Sequence, residues 1–297
     1  MEESAKSVIA TLPFHLPADD TLPFEIGRLE TTHSLRSAAR PHRHRFYEII
    51  WVRDGSGLHT IDFQDHPIGP RSLFLLSPGQ VHAVRIDAPL SGFLILFTAD
   101  FLGLDATHPR LLAALPFFRA GLVNPALTLA ESEAANLQHC SEHLEAEFGT
   151  MAPARPEMLR AYLQILVLTI SRLVSARQPA ATGAPTPVQQ QFDQLIEQHY
   201  RRTMRVAEYA DMLALTPGHL NELVKSASGQ TASARIAERV VLEAKRLLAH
   251  SDQQVAQIAA ELGFDDPAYF GRFFRRHTGK TPGQFRVAIR EKYQADR

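Results

Sequence analysis

Hydrophobic and polar positions change their period twice along this chain. From about Phe24 to Phe101, apolar residues come in short β-rich runs: Tyr47-Glu48-Ile49-Ile50-Trp51-Val52, Leu58-His59-Thr60-Ile61-Asp62-Phe63, Ser72-Leu73-Phe74-Leu75-Leu76 and Gly92-Phe93-Leu94-Ile95-Leu96-Phe97. Turn-forming clusters separate them at Asp54-Gly55-Ser56-Gly57, Ile68-Gly69-Pro70 and Ser77-Pro78-Gly79. Short strands at this spacing predict an antiparallel sandwich or barrel. From about Glu131 to Ala176 the period becomes helical. Leu137, Leu144 and Phe148 share one face of a first helix. Leu159, Tyr162, Leu163, Leu166, Val167, Ile170 and Val174 give the second a broad apolar stripe. That stripe needs cover, and the barrel and a second subunit are both expected to provide it, so a homodimer is predicted.

A break follows. Arg177–Pro187 holds three prolines, one glycine and small residues, with almost nothing bulky to bury. It reads as a linker. The predicted organisation is a sensing and dimerisation domain over residues 1–176, a linker over 177–189 and a helical domain over 190–297. The segment Glu2–Asp20 shows no clear element, and is either an arm that closes over a ligand or a disordered terminus.

Composition narrows the class. A chain of 297 residues fits two domains. No uninterrupted apolar run approaches the roughly eighteen residues of a membrane span. Met1–Ala10 lacks the basic start and apolar core of a signal peptide. The single cysteine, Cys140, rules out a disulfide framework within one chain. A cytoplasmic protein with no membrane partner is expected. The net charge of −1 hides an asymmetry: residues before Val188 carry 15 Lys+Arg against 19 Asp+Glu, and those from Val188 onward 16 against 13. Within Asp266–Lys292 the count is 7 against 2, which points to an anionic partner near the C-terminus.

The helical tail contains an internal repeat. Leu220–Thr231 reads LNELVKSASGQT, and fifty residues later Phe270–Thr281 reads FGRFFRRHTGKT. Apolar positions, a basic residue (Lys225, Arg275) and a Gly-x-Thr ending coincide. Upstream, Val206-Ala207-Glu208-Tyr209-Ala210 matches Val255-Ala256-Gln257-Ile258-Ala259 at an offset of 49, so the second turn holds one extra residue. Each copy has the physics of a helix-turn-helix. A small residue (Ala210, Ala259) permits close helix approach. A tight turn follows, with Gly263 free to take positive φ in the second copy. Thr216-Pro217 and Asp266-Pro267 cap the next helix. Leu220, Leu223 and Val224 face inward in copy one, and Tyr269, Phe270, Phe273 and Phe274 in copy two. The outward face holds Gly218, His219, Asn221, Glu222 and Lys225, then Ala268, Gly271, Arg272, Arg275 and Arg276. Ala234–His250 reads as a bracing helix of about 25 Å at ~1.5 Å per residue.

Residues 190–292 resemble the AraC-type DNA-binding domain, on the strength of Asp266–Arg286, which reads DPAYFGRFFRRHTGKTPGQFR. The resemblance implies two reading motifs on asymmetric double-stranded DNA. It assigns base contacts to Gly218, Asn221, Glu222, Ala268, Gly271 and Arg272, and phosphate contacts to Thr216, Lys225, Arg275 and Arg276. Glu222 accepts from cytosine but repels phosphate, so copy two is expected to supply more affinity. Activation of promoters with RNA polymerase as partner is the family's commonest mode.

A second cluster lies in the strand region: His42-Arg43-His44-Arg45-Phe46-Tyr47-Glu48, with Pro78-Gly79-Gln80-Val81-His82 later. His-x-His on a strand places both imidazoles on one face. His42, His44, Glu48 and His82 form a competent first-row metal set, and the spacing resembles both cupin motifs with all four ligand positions filled. An enzyme would use such a set for metal-dependent oxygenation or isomerisation. AraC-type regulators resemble this cupin-like domain yet keep it as a sensor, so no catalysis is expected here. The four residues are assigned to a small-molecule effector pocket, with no cofactor preferred and a divalent metal as the alternative. Trp51, Phe63, Phe74 and Phe97 are read as core. The fold class is α+β: a cupin-like β-barrel with an appended helix pair, followed by an all-α double helix-turn-helix domain.

Overall fold

The computed structural model describes residues 10–12, 22–31, 39–103, 125–177 and 186–295. Ala10–Gln178 and Pro179–Arg297 are two compact units. In the first, the described strands are β1 (Ala10–Leu12), β2 (Phe24–Arg28), β3 (His42–His44), β4 (Tyr47–Ile61), β5 (Gln64–Ile68), β6 (Ser72–Leu76), β7 (His82–Phe97) and β8 (Ala126–Thr128). The described helices are α1 (Ala99–Leu102), α2 (Glu131–Phe148) and α3 (Arg155–Arg177).

Strands β4 and β7 form the spine, antiparallel from Tyr47 opposite Phe97 to Ile61 opposite His82, with register shifts between Val52 and Gly57. The Asp54–Gly57 cluster therefore bulges within one long strand instead of ending it. The actual reversal falls at Asp62 and Phe63, with φ of 44° and 76°, between Ile61 and Gln64. That conformation is the tight hairpin turn whose usual signal is Asn-Gly, which is why Phe63 read as strand and core. The sheet runs β1-β3-β7-β4-β6-β8, with β2 on β7 and β5 on β4. Among the described residues no ladder joins β1 to β8, so the sheet is open where a closed barrel was expected. The bulged spine gives β4 different partners along its length, β6 at Glu48–Val52 and β5 at Gly57–Ile61, so the sheet branches instead of closing.

Both faces of the sheet are buried. Ile49, Trp51, Leu73, Leu75, Phe93, Ile95 and Phe97 pack with Leu137, Leu144, Leu159, Leu163, Leu166, Val167 and Ile170 of α2 and α3. Ile50, Val52, Ile61, Phe74, Leu76, Val84 and Leu94 form a second cluster on the opposite face. Trp51 Nε1 donates to Gln138 Oε1 at 3.0 Å, tying α2 to β4. Helix α3 is long and apolar enough to cross a membrane by length and composition. Interrupting polar residues hid this from a run count. Leu159, Leu163, Leu166, Val167, Ile170 and Val174 of its stripe are buried against the sheet and α2, while Met158, Ile165 and Leu168 stay exposed. Tyr162, expected in the stripe, is half-buried.

Of the arm Glu2–Asp20, residues 10–12 form β1, parallel to β3 with Ala10 opposite His42 and Leu12 opposite His44; the remainder lies outside the described residues.

The second unit holds α4 (Pro187–His199), α5 (Val206–Met212), α6 (Pro217–Ser228), α7 (Ala232–His250), α8 (Val255–Glu261), α9 (Pro267–Thr278) and α10 (Pro282–Ala295). Thr186 caps α4 by accepting from Gln189 N at 3.2 Å, with Pro187 in the first turn. The predicted linker to residue 189 thus runs into a helix whose Thr-Pro start repeats that of α6. Residues 178–185 lie outside the described residues. Phe192, Tyr209, Leu220, Val224, Ile236, Val240, Leu248, Phe270 and Phe274 share one core.

Candidate DNA interface and sensing site

The two helix-turn-helix copies superimpose on their internal hydrogen bonds. Thr216 Oγ1 accepts from His219 N at 3.3 Å, and Asp266 accepts from Ala268 N at 2.8 Å and Tyr269 N at 3.1 Å. Both following helices close with a 2.8 Å bond, Gly229 N to Lys225 O and Gly279 N to Arg275 O. Leu215 N to Ala210 O and Phe264 N to Ala259 O fix the turns at 2.9 Å each. These keep the offset of 49, whereas the caps keep 50, so the extra residue sits between Phe264 and Asp266.

Burial repeats position by position. Residues 216–219, 222, 225 and 226 are exposed in copy one, and 266–269, 272, 275 and 276 in copy two. Gly218, His219, Glu222, Lys225, Ala268, Arg272, Arg275 and Arg276 therefore share outward faces, flanked by the cap residue Thr216. Asn221 and Gly271 are half-buried at the edge. Asn221 Oδ1 accepts from Ala232 N at 3.1 Å and so braces the start of α7. Tyr269, expected inside, is 52% exposed. It occupies the position of His219, and the Arg272 guanidinium lies 6.0 Å from its ring centroid. Arg272 also reaches Asp266 at 3.6 Å. Sequence reading missed Tyr269 because Phe270, its neighbour, is aromatic too. Comparison with His219 in the other copy shows which of the pair faces out.

The sheet brings all four predicted pocket residues together on the face opposite the helices. His42 and His82 are opposite one another across β3 and β7, with Nε2 atoms 2.6 Å apart. His44 Nε2 lies 2.7 Å and His82 Nε2 3.6 Å from Glu48 Oε2. His42, His44, Glu48 and His82 are all buried. His42 Nδ1 meets Arg40 O at 3.0 Å, and His44 Nδ1 meets Phe46 O at 2.7 Å. A ring nitrogen facing a carbonyl must carry its proton. Both Nε2 atoms therefore point into the cluster, towards His82 and Glu48.

A fourth imidazole, absent from the set read in the sequence, stands beside His82. The His59 ring centroid is 5.4 Å from that of His82 and 4.8 Å from that of Phe74. It is fully buried, and neither of its ring nitrogens has a partner; His82 Nδ1 has none either. Burial, then His66 and His42, pushes the His59 pKa down to about 3. Burial and the neighbouring imidazoles hold His82 well below its ordinary value. Burial also lowers His42, against the Arg40 carbonyl and Glu48. His42, His59 and His82 are neutral at pH 7, so the buried cluster combines neutral imidazoles with one carboxyl group.

Comparisons with known proteins fit both halves. Residues 28–161 match the profile of the AraC-like ligand binding domain, and residues 209–288 that of a helix-turn-helix domain. The HTH-type transcriptional activator RhaR of Escherichia coli (strain K12) is 26% identical over 248 residues, covering 82% of this chain and 86% of its own. RhaR of Shigella dysenteriae serotype 1 is 25% identical over the same shares. The solved structure of ToxT from Vibrio cholerae O395 aligns over 90% of this chain and 95% of its own at 14% identity, with a TM-score of 0.40. With a sensing-domain match ahead of a helix-turn-helix match, the chain belongs to the AraC family of ligand-responsive, DNA-binding transcription regulators.

Proposed function

We propose that this regulator grips double-stranded DNA through the exposed faces of α6 and α9, and that α9 supplies most of the affinity. The repeated burial pattern carries this reading: it leaves Arg272, Arg275 and Arg276 outward on α9, where α6 offers Lys225 against Glu222. Arg272, Ala268 and Tyr269 face bases, while Arg275, Arg276, Lys225 and Thr216 face phosphates. On α6, Gly218, His219 and Glu222 face the groove, with Asn221 and Gly271 at its edge. The test is fluorescence anisotropy on a duplex selected from a random library, at fixed salt. Arg272→Ala is expected to weaken binding by about 1–3 kcal/mol and to relax specificity at one position. A larger loss from Asn221→Ala than from Arg272→Ala would reverse the ranking.

The effector site is assigned to His42, His44, Glu48 and His82, with a small organic molecule as ligand and no catalysis. The strand β1 pairs directly with the strand bearing His42 and His44, giving a route from pocket to arm. The exposed Met158, Ile165 and Leu168 of α3 are the face assigned to a homodimer partner. Activation, contact with RNA polymerase and action in the cytoplasm complete the reading, in line with the RhaR likeness. The sensing unit ends at Arg177, and the DNA-binding unit begins at Thr186.

A second reading is favoured by one observation. His44 Nε2 faces the Glu48 carboxylate at 2.7 Å, a contact that a positive charge between the two atoms would satisfy. One proton satisfies this; so does a divalent cation held by His42, His44, Glu48 and His82, whose donors suit Zn, Fe or Ni. The Arg40 and Phe46 carbonyls already orient two of the imidazoles as such a centre needs. A bound cation would offer an open coordination position to an oxygen-bearing effector. Elemental analysis of protein purified without an affinity tag decides: stoichiometric metal installs this reading, and its absence returns the site to the organic effector alone.

A further inference from the structure

Outside the sheet, two histidines converge on the exposed side of α2. His139 and His143 are four residues apart, one helical turn, and therefore share a face. Their Nε2 atoms lie 3.0 Å apart, with ring centroids at 4.3 Å and planes at 85°. Both are exposed. The neighbouring carboxylate is engaged by another side chain: Glu142 Oε1 accepts from Gln138 Nε2 at 2.8 Å. The His143 ring is stacked on Tyr162 of α3, with centroids at 5.8 Å and planes at 5°, so one imidazole is held by packing.

Two imidazole nitrogens at that separation fit a single cation. With metal–nitrogen bonds of about 2.0–2.1 Å, a 3.0 Å bite corresponds to an angle of roughly 95° at the metal. That is close to the adjacent-position angle of square-planar and octahedral centres, the geometry of Cu(II) and Ni(II). A direct imidazole–imidazole hydrogen bond at a solvent-exposed position gains little, because water competes for both groups. A cation gains from both lone pairs at once. Helical histidines at this spacing form the two-imidazole part of known metal-binding helices.

We propose that His139 and His143 form a surface site for a first-row divalent cation of the Cu(II) or Ni(II) type, separate from the four-residue set in the sheet. The two rings occupy adjacent positions, and water or an exogenous donor takes the others. Occupancy would clamp one turn of α2 on the side that meets Tyr162.

The test uses the tag-free full-length chain, titrated with Ni²⁺ by calorimetry and equilibrium dialysis at pH 7.5. Wild type is compared with His139→Gln, His143→Gln and the double variant, with helicity checked by circular dichroism. One equivalent should be lost in the double variant, and each single variant should weaken it at least tenfold. Protons compete with a metal ion for imidazole nitrogens, so the same equivalent should bind more weakly at pH 5.5 than at pH 7.5. Cu²⁺ should show two coordinated imidazole nitrogens by electron paramagnetic resonance, absent in the double variant. An ion held by the sheet set would survive in the double variant and is counted separately. If the double variant retains every equivalent at unchanged affinity, or the wild type binds none at pH 7.5, the site does not exist.

Discussion

A buried imidazole with both ring nitrogens unbonded leaves one donor and one acceptor unsatisfied in either tautomer, at a cost of about 1–3 kcal/mol for each group. His59 is in that position. Its pKa near 3 in the folded chain lies far below the ordinary 6.5. Above pH 6.5 both folded and unfolded forms are neutral, and the group has no pH effect. Below 6.5 the unfolded chain takes up a proton that the folded chain refuses, so stability falls as pH drops from 6.5 towards 3. At pH 5.5 this amounts to about 1.4 kcal/mol for one such group. His59→Leu removes the unsatisfied nitrogens and the proton uptake together. Urea midpoints at pH 7.5 and 5.5 should show the variant's sensing unit losing about 1 kcal/mol less than wild type over that interval. Equal losses would place the acid sensitivity elsewhere. The His42–His44 pair was legible because strand parity alone puts both rings on one face. His59 was not, since only the pairing of β4 with β7 brings it beside His82.

At the scale of elements, the two turns of the repeat solve one backbone problem with different residues. Ala214 and Gly263 hold equivalent left-handed positions, with φ of 54° and 79°. For alanine that conformation costs roughly 1–2 kcal/mol, of which glycine's greater unfolded-state entropy returns about 0.5–1. Ala214→Gly should therefore stabilise the helical unit by about 0.5–1 kcal/mol, a rise in Tm of a few degrees. Gly263→Ala should act in the opposite direction and more strongly. It adds the same backbone strain, and its new Cβ would sit 2.6 Å from Arg201 O. Calorimetric melts of both variants decide; an Ala214→Gly that melts lower than wild type would show that the turn is unstrained. Pattern exposed the repeat, its caps and its second turn, because glycine, Asp-Pro and the aromatic positions are local signals. It failed at Asp62-Phe63 and at Asp54–Gly57, where pairing with β5 and β7 overrides local turn preference. It also missed the opening of the sheet, since edge pairing is a long-range property.

For the molecule as a whole, the two units have separate cores, and the helical one closes on its own aromatic and aliphatic residues. Its buried charges are also matched internally: Arg239 Nε bonds Glu197 at 2.8 Å, and Arg239 Nη1 bonds Glu243 at 3.2 Å. A fragment spanning 179–297 should therefore unfold cooperatively and bind DNA without the sensing unit. Its affinity should fall linearly on a log–log plot against salt, because each phosphate contact releases condensed counterions. Arg275→Ala and Arg276→Ala should each reduce that slope by about 1 while weakening all sequences alike. Arg272→Ala should change sequence preference more than slope. Joining two such units through a dimer makes the second contact intramolecular, which raises affinity by about 10²–10⁴ where the spacing suits both. Full-length protein should accordingly bind paired sites far more tightly than the fragment, and single sites about equally. Equal binding of paired sites by both would remove the dimer from the mechanism, and with it the means by which a ligand in the sheet could redirect the reading helices.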